Sequence, residues 1–362
     1  MATSLARPHL AHVEAYAPGK PAEELERELG IAHAIKLASN ENPLGPSPKA
    51  VAAIHAAAAD VHRYADTTAF ALRARVATLH GVAPDELAFG HGSNELIDLL
   101  CRVFAGPSDH AVIGTPSFVC YRLCLRVADV PTTEVPLDGG LFWNVDRLLE
   151  AVRPNTKLLF LDNPNNPTST HLGRAELSRL LASLPAHVVP VIDEAYVHFA
   201  DAPDYTSALA LRALSPNLIV LRTFSKAFGL AALRVGYAVG PAALLGFLPR
   251  AGVPFNVNGL AQAAALAALD DQDHVARGVA LNAEQRARLH AALSAQGLAV
   301  APSQGNFLCV AFGPRAREIH AALLRRGVIV RPIPDLPEHL RISVGLPAEN
   351  DRLLAALREV RG

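Results

Sequence analysis

Between residues 49 and 253 the chain alternates two kinds of segment, and this alternation restricts the fold more than any other feature. Five short runs, at 111–113, 158–161, 188–192, 218–221 and 235–239, are apolar and rich in Val, Ile and Leu. They lack the in–out alternation of a strand with one wet face. Such runs suit strands buried on both faces of a mainly parallel sheet, whose crossover helices cover both sides. Helical patterns lie before and between them, at 70–79, 95–104, 174–184 and 208–214. The expectation is a large α/β domain over 49–253.

The flanks read differently. Residues 1–48 form an arm with one short helix at 22–29, ending in Pro/Gly punctuation at Pro43, Gly45, Pro46 and Pro48. Beyond Pro254 an Ala/Leu-rich stretch at 260–293 predicts a long helix broken near Asp270–Asp273. Strand 306–310, helix 316–326, strands 328–331 and 340–344, and a last helix at 350–360 follow. Residues 254–362 thus read as a smaller α+β domain, to which the arm adds.

Composition narrows the function classes. The 362 residues are 51% hydrophobic and 19% charged, enough to bury a large core. A net charge of −1 gives no basic field for nucleic acid or an anionic membrane. Arg102, Arg122 and Arg126 read as solvated helix faces. No signal peptide and no membrane-length apolar run is apparent, so a cytoplasmic enzyme or binding protein is expected. Cys101, Cys120, Cys124 and Cys309 form no CxxC pair and sit in apolar stretches, as buried free thiols do. His9 and His12 lack further ligands nearby, and no metal is expected.

Four segments stand at strand ends in the large domain, where open α/β sheets bind ligands. Gly90-His91-Gly92-Ser93-Asn94-Glu95 precedes a helix, whose first N–H groups could meet an anion; an ordinary strand–turn–helix junction fits as well. Asn163-Pro164-Asn165-Asn166-Pro167-Thr168 is a stiff loop that could also hold a side-chain amide toward the strand ends. Asp193-Glu194-Ala195-Tyr196 puts a carboxylate directly after an apolar strand, either as a helix cap or as the buried partner of a cation. Thr223-Phe224-Ser225-Lys226-Ala227-Phe228 places a lysine in apolar company. Desolvation there would make its amine a nucleophile for a carbonyl, although a lysine taken singly is more often a surface residue. Thr223, Ser225 and Arg234 are phosphate ligands by type.

Taken together and in this order, these segments resemble the fold type I pyridoxal-phosphate-dependent aminotransferases over nearly the whole chain. The segment Lys36–Gly45, Arg63-Tyr64, Leu221–Lys226, Pro254-Phe255-Asn256 and Gly327–Pro332 are similar to its histidinol-phosphate branch. The resemblance implies a mainly parallel seven-stranded sheet between helices plus a smaller α+β domain, with pyridoxal 5'-phosphate as cofactor. It further implies that Lys226 carries the cofactor and moves the proton, and that Asp193 pairs with the ring nitrogen. Asn166 and Tyr196 would bond the ring's phenolic oxygen, and Phe118 would stack on the ring. Ser93, Asn94, Thr223, Ser225 and Arg234 would hold the phosphate, joined by Tyr64 from the other subunit of a homodimer. Asn40, Arg341 and Arg331 would face the substrates, Arg341 a carboxylate and Arg331 a second anion.

Two places depart from that family. Ser169 stands where it has glycine, at a cost of about 1 kcal/mol if the backbone there needs positive φ. The loop at 332–337 is short and lacks glycines, which bears on substrate choice. The implied reaction is transamination of histidinol phosphate with 2-oxoglutarate. An aromatic amino acid aminotransferase, a phospho-amino-acid decarboxylase of the same fold and a non-catalytic binding module are the alternatives.

Overall fold

The computed structural model describes residues 5–16, 19–139 and 141–361. Its central element is a seven-stranded sheet. In chain order the strands are β1 (Leu87–Gly90), β2 (His110–Thr115), β3 (Thr132–Pro136), β4 (Thr156–Asp162), β5 (Val189–Asp193), β6 (Ile219–Thr223) and β7 (Gly236–Val239). Across the sheet they lie β1-β7-β6-β5-β4-β2-β3. Six run one way, and β7 runs against both its neighbours.

The continuous apolar runs are explained by what covers them. On one face Ala111, Ile113, Leu158, Phe160, Val189, Val191, Ile219 and Leu221 pack with helix Gly92–Phe104 and helix Val119–Val127. On the other face Val112, Leu159, Leu161, Ile192 and Val220 pack with helix Arg174–Ser183 and helix Val145–Glu150. Successive side chains point to opposite faces, and both faces are dry.

Strands β1 and β3 were not legible as runs. β1 is four residues long and closes on glycine, and β3 (Thr-Thr-Glu-Val-Pro) is a polar edge strand that tolerates its terminal proline. The segment expected as a helix at 208–214 winds as a 3₁₀ helix. Its first amides are claimed by side chains, Ala208 N by Glu194 Oε1 at 2.6 Å and Leu209 N by Ser207 Oγ at 3.2 Å.

The C-terminal part is built on a four-stranded antiparallel sheet of Ala299–Val300, Phe307–Ala311, His339–Ser343 and Arg331–Pro332. Helix Ala316–Arg325 and helix Pro347–Arg361 pack against it. The single strand expected at 328–331 is divided. Val328–Ile329 pairs in parallel with Ile35–Lys36 of the N-terminal segment, while Arg331–Pro332 pairs with His339–Ser343. Residues 1–4 and 17–18 of the expected arm lie outside the described residues. The long helix breaks where expected, into Gly259–Leu269 and Gln272–Ala295. Ala261, Ala264, Ala265 and Ala268 of the first piece are buried with Leu72, Val76, Phe224 and Phe228. Leu289 and Leu293 of the second are buried with the C-terminal sheet. Val275, early in the second piece, still packs with the first cluster, so the change of partner falls along the second piece.

Candidate active site

Every chemical group of the candidate site stands at one edge of the large sheet. β1, β2, β4, β5 and β6 end there and are followed by Ser93, Phe118, Asn166, Tyr196 and Lys226. Because β7 is reversed it begins at that same edge, just after Arg234. Two adjacent strands of the C-terminal sheet bring Arg331 and Arg341, which are register partners, over the edge. A cavity of about 210 Å³ results. It is lined by Asn40, Ser93, Asn94, Phe118, Asn166, Asp193, Tyr196, Thr223, Ser225, Lys226, Arg234, Arg331 and Arg341. One expected residue is elsewhere. Tyr64 is 84% exposed and stacks on Phe255 with ring centroids 4.4 Å apart, outside the cavity of its own chain.

At the inner end Lys226 Nζ donates to the carbonyl of Ser39 at 3.2 Å and lies 5.7 Å over the Tyr196 ring. Burial, helped by the Arg341 guanidinium, pushes this amine down to about 8. Asp193 is 3% exposed, and burial pushes its carboxyl up to about 6. Two donors hold it in place, Tyr121 Oη to Oδ2 at 3.1 Å and Ala195 N to Oδ1 at 3.0 Å. Burial pushes the Tyr196 phenol up to about 12, and its oxygen accepts from Asn40 Nδ2 at 3.0 Å.

One wall is an anion cradle. The helix beginning at Gly92 presents its first N–H groups, with the Ser93 and Asn94 side chains beside them. Thr223 Oγ1 and Ser225 Oγ lie 2.9 Å apart, and Arg234 Nη1 is 3.5 Å from Ser225 Oγ. The glycine at 92 is required twice over. Its φ is +73°, and a Cβ there would lie 2.5 Å from Arg234 Nη2. The family-derived expectation of glycine at 169 is also accounted for. Ser169 has φ +65° and is fully buried, and its Oγ lies 2.9 Å from Ser303 Oγ, so the turn keeps a strained serine with a satisfied hydroxyl.

The cavity opens into an outer chamber of about 280 Å³, which shares Tyr16, Phe118, Asn166, Arg331 and Arg341 with it. Arg341 Nη1 donates to Asn166 Oδ1 and Nη2 to the Ala38 carbonyl, both at 2.6 Å. The Arg331 guanidinium lies 5.7 Å over the Tyr16 ring. Arg122, read as a solvated helix residue, instead spans the chamber wall. Its Nη2 donates to Glu134 at 2.6 Å and to Asp335 at 3.1 Å, which ties the short 332–337 loop to the large sheet. A helix-facing argument could not find this, because the partners come from β3 and from a loop more than 200 residues away.

Among the cavity residues that were missed are Tyr16, Tyr121 and Asp162. Asp162 carried a legible signal, since it ends apolar β4 as Asp193 ends β5. Tyr121 carried none, because its bond to Asp193 joins residues 72 apart in sequence.

The residues present fit a phosphorylated aromatic aldehyde: an anion cradle at one end, an amine of lowered basicity at the other, and a buried carboxylate opposite. Residues 32–357 match the family of class I and II aminotransferases, and the chain belongs to that family. Within it the chain is 46% identical to the histidinol-phosphate aminotransferase of Anaeromyxobacter sp. (strain Fw109-5) over 99% of both chains. It is 45% identical to histidinol-phosphate aminotransferase 2 of Pseudomonas fluorescens (strain Pf-5), covering 99% of this chain and 97% of that one. The crystal structure of the Sinorhizobium meliloti histidinol-phosphate aminotransferase in complex with pyridoxal-5'-phosphate superposes with a TM-score of 0.90. It has 30% identity and covers 99% of this chain and 97% of that one.

Proposed function

We propose that the protein is a pyridoxal-phosphate-dependent aminotransferase that moves the amino group of histidinol phosphate to 2-oxoglutarate, yielding imidazole acetol phosphate and glutamate in histidine synthesis. The observation that carries the reading is the pairing of Lys226, its amine lowered to about 8, with two guanidinium groups, Arg341 and Arg331, on the substrate side of the same cavity.

The cofactor, when bound, supplies an aldehyde that takes up amines and a ring that accepts electrons from the carbon beside them. The chain's own residues do the rest. The Ser93–Asn94 helix start, Thr223, Ser225 and Arg234 would hold the phosphate. Phe118 would cover one ring face. Asp193, stabilised by the Tyr121 hydroxyl and the Ala195 amide, meets the ring nitrogen; a cation there favours the ionised carboxyl. Tyr196 and Asn166 would bond the phenolic oxygen. Lys226 Nζ, its amine lowered to about 8, would hold the cofactor through its aldehyde and, once the substrate amine has displaced it, would be placed to take the proton from the carbon that bears the amino group. Arg341 would form a bidentate pair with a substrate carboxylate through N–H groups left over from its bonds to Asn166 and Ala38. Arg331 meets the distal anion, the phosphate of one substrate or the far carboxylate of the other.

The active unit is a homodimer in this reading. Tyr64 and its stacking partner Phe255 are exposed, as are Val61 (67%) and Val253 (68%), each within three residues of that pair. Such a patch suits burial against a second copy whose phosphate cradle Tyr64 would reach.

The test is product analysis with histidinol phosphate and 2-oxoglutarate. Glutamate and imidazole acetol phosphate in equal amounts are expected. Carbon dioxide released from a phospho-amino acid, or turnover of aromatic amino acids with none of histidinol phosphate, overturns the substrate assignment.

A further inference from the structure

The proposed chemistry uses one buried carboxylate, yet the cavity contains two. Asp162 ends β4 as Asp193 ends β5, and the two are register partners on adjacent parallel strands. Their side chains share a face, since Phe160 and Val191, two residues back on each strand, lie in the same apolar cluster. Asp162 is 2% exposed and Asp193 is 3% exposed, so neither charge is relieved by water.

Their hydrogen bonds are unequal. Asp193 has a donor on each oxygen, Tyr121 Oη and Ala195 N. Asp162 Oδ2 accepts from Asn166 N at 2.8 Å, but its Oδ1 has no hydrogen-bond partner among the described residues. An unpaired carboxylate oxygen in a buried cavity, beside a second carboxylate, is costly for an anion and far less so for an acid. Donors stabilise the charged form, so the member with a donor on each oxygen keeps the charge. Burial accordingly pushes Asp162 well above the ordinary carboxylate range, with the charge of Asp193 adding to the rise and the backbone amides of Asn166, Asp162 and Phe118 opposing it. Among the described residues Lys226, Arg234 and Arg341 make no hydrogen bond to the Asp162 carboxyl group.

We propose that Asp162 is a positioning residue that works as a neutral acid, holding the Asn166 turn through one oxygen and leaving Asp193 the charged member of the pair. Asn166 Oδ1 in turn accepts from Arg341, so the Asp162 bond fixes the point at which the ring site and the carboxylate clamp meet. A neutral Asp162 leaves a single negative charge at this end of the cavity, which matches the single positive charge of a protonated ring nitrogen. The inference rests on Asp193 as that nitrogen's partner.

Infrared spectroscopy of the full chain without added cofactor tests the protonation directly. At pH 8 Asp193 is ionised, so a protonated-carboxyl carbonyl band that persists there and vanishes in Asp162→Asn is expected. Absence of the band from the unsubstituted protein at pH 8 overturns the proposal and needs no variant to fold. In the protein loaded with pyridoxal phosphate, Asp162→Asn retains shape and neutrality. It should leave the pH midpoint of the cofactor's absorption within about 0.3 unit and kcat within about threefold. Asp162→Ala, which frees the Asn166 amide, should lower kcat by about tenfold or more and change the cofactor spectrum. Removal of a real charge would instead move the Asp162→Asn midpoint by about one unit or more, and that result refutes neutrality. A carbonyl band in a protein that binds no pyridoxal phosphate would sink the cofactor reading while leaving the acid intact.

Discussion

Replacing Gly92 with alanine tests whether the phosphate cradle works as the geometry requires. Two costs arise from one methyl group. At φ +73° an L-residue pays about 1–2 kcal/mol of backbone strain, borne by folding. The new Cβ would also lie 2.5 Å from Arg234 Nη2 and 3.1 Å from its Cζ, well inside contact distance, so the guanidinium must swing away. Loss of a charge-assisted hydrogen bond to phosphate costs about 1.5–3 kcal/mol, or roughly 10- to 150-fold in the dissociation constant of pyridoxal phosphate. Fluorescence titration of the cofactor-free protein measures that constant, and thermal unfolding separates the folding cost, expected as a drop of only a few degrees. The decisive comparison is the double variant. If Gly92→Ala acts by displacing Arg234, adding it to Arg234→Ala should weaken binding by less than about threefold more. Affinity unchanged in Gly92→Ala, or losses that multiply in the double variant, would refute the account.

Further outcomes are expected. Lys226→Ala should abolish the bond to cofactor that borohydride makes permanent. In the unsubstituted protein the rate of that attachment should fall about tenfold per pH unit below about 8 and level off above it, because folding lowers this amine and its neutral form is the nucleophile; retained labelling and activity in Lys226→Ala would remove the assignment. Arg341→Ala should weaken glutamate and 2-oxoglutarate, and Arg331→Ala chiefly the phosphorylated substrate, each by about 2–3 kcal/mol, read as roughly 30- to 150-fold in kcat/KM. Equal small losses on both substrates would undo the division of roles. A mixture of Lys226→Ala and Tyr64→Ala subunits should regain activity above either homodimer, since one site in each mixed dimer is then whole. No recovery in demonstrated heterodimers would place Tyr64 outside the partner's site.

The large sheet was legible because burial on both faces leaves a mark on composition: strands β2, β4, β5, β6 and β7 are written as apolar runs. β3 was not, because an edge strand with one neighbour can be Thr-Thr-Glu. The candidate site was legible where chemistry falls at the end of such a run, as with Asp193 and Lys226. It was illegible where function depends on two distant elements meeting. Tyr121 touches Asp193 only because a helix after β2 crosses the end of β5, and Arg122 reaches Asp335 only because the C-terminal sheet folds back over β3. Asp162 shows a third case, a signal present in the sequence but masked by the proline-rich loop that follows it.

The reversed strand β7 decides how the site responds to motion. Lys226 and Arg234 lie on one short connection between β6 and β7, so the proposed covalent anchor and the proposed phosphate anchor are set by a single piece of chain. Arg331 and Arg341 belong to the other sheet. If the two sheets rock against each other, the span between the two cofactor anchors stays constant while the gap to the substrate clamps widens or narrows. The hold on the cofactor's phosphate can thus persist through a full cycle of substrate exchange, while the bond to Lys226 breaks and re-forms, and two anionic substrates of different length can be fitted in turn by adjusting one gap.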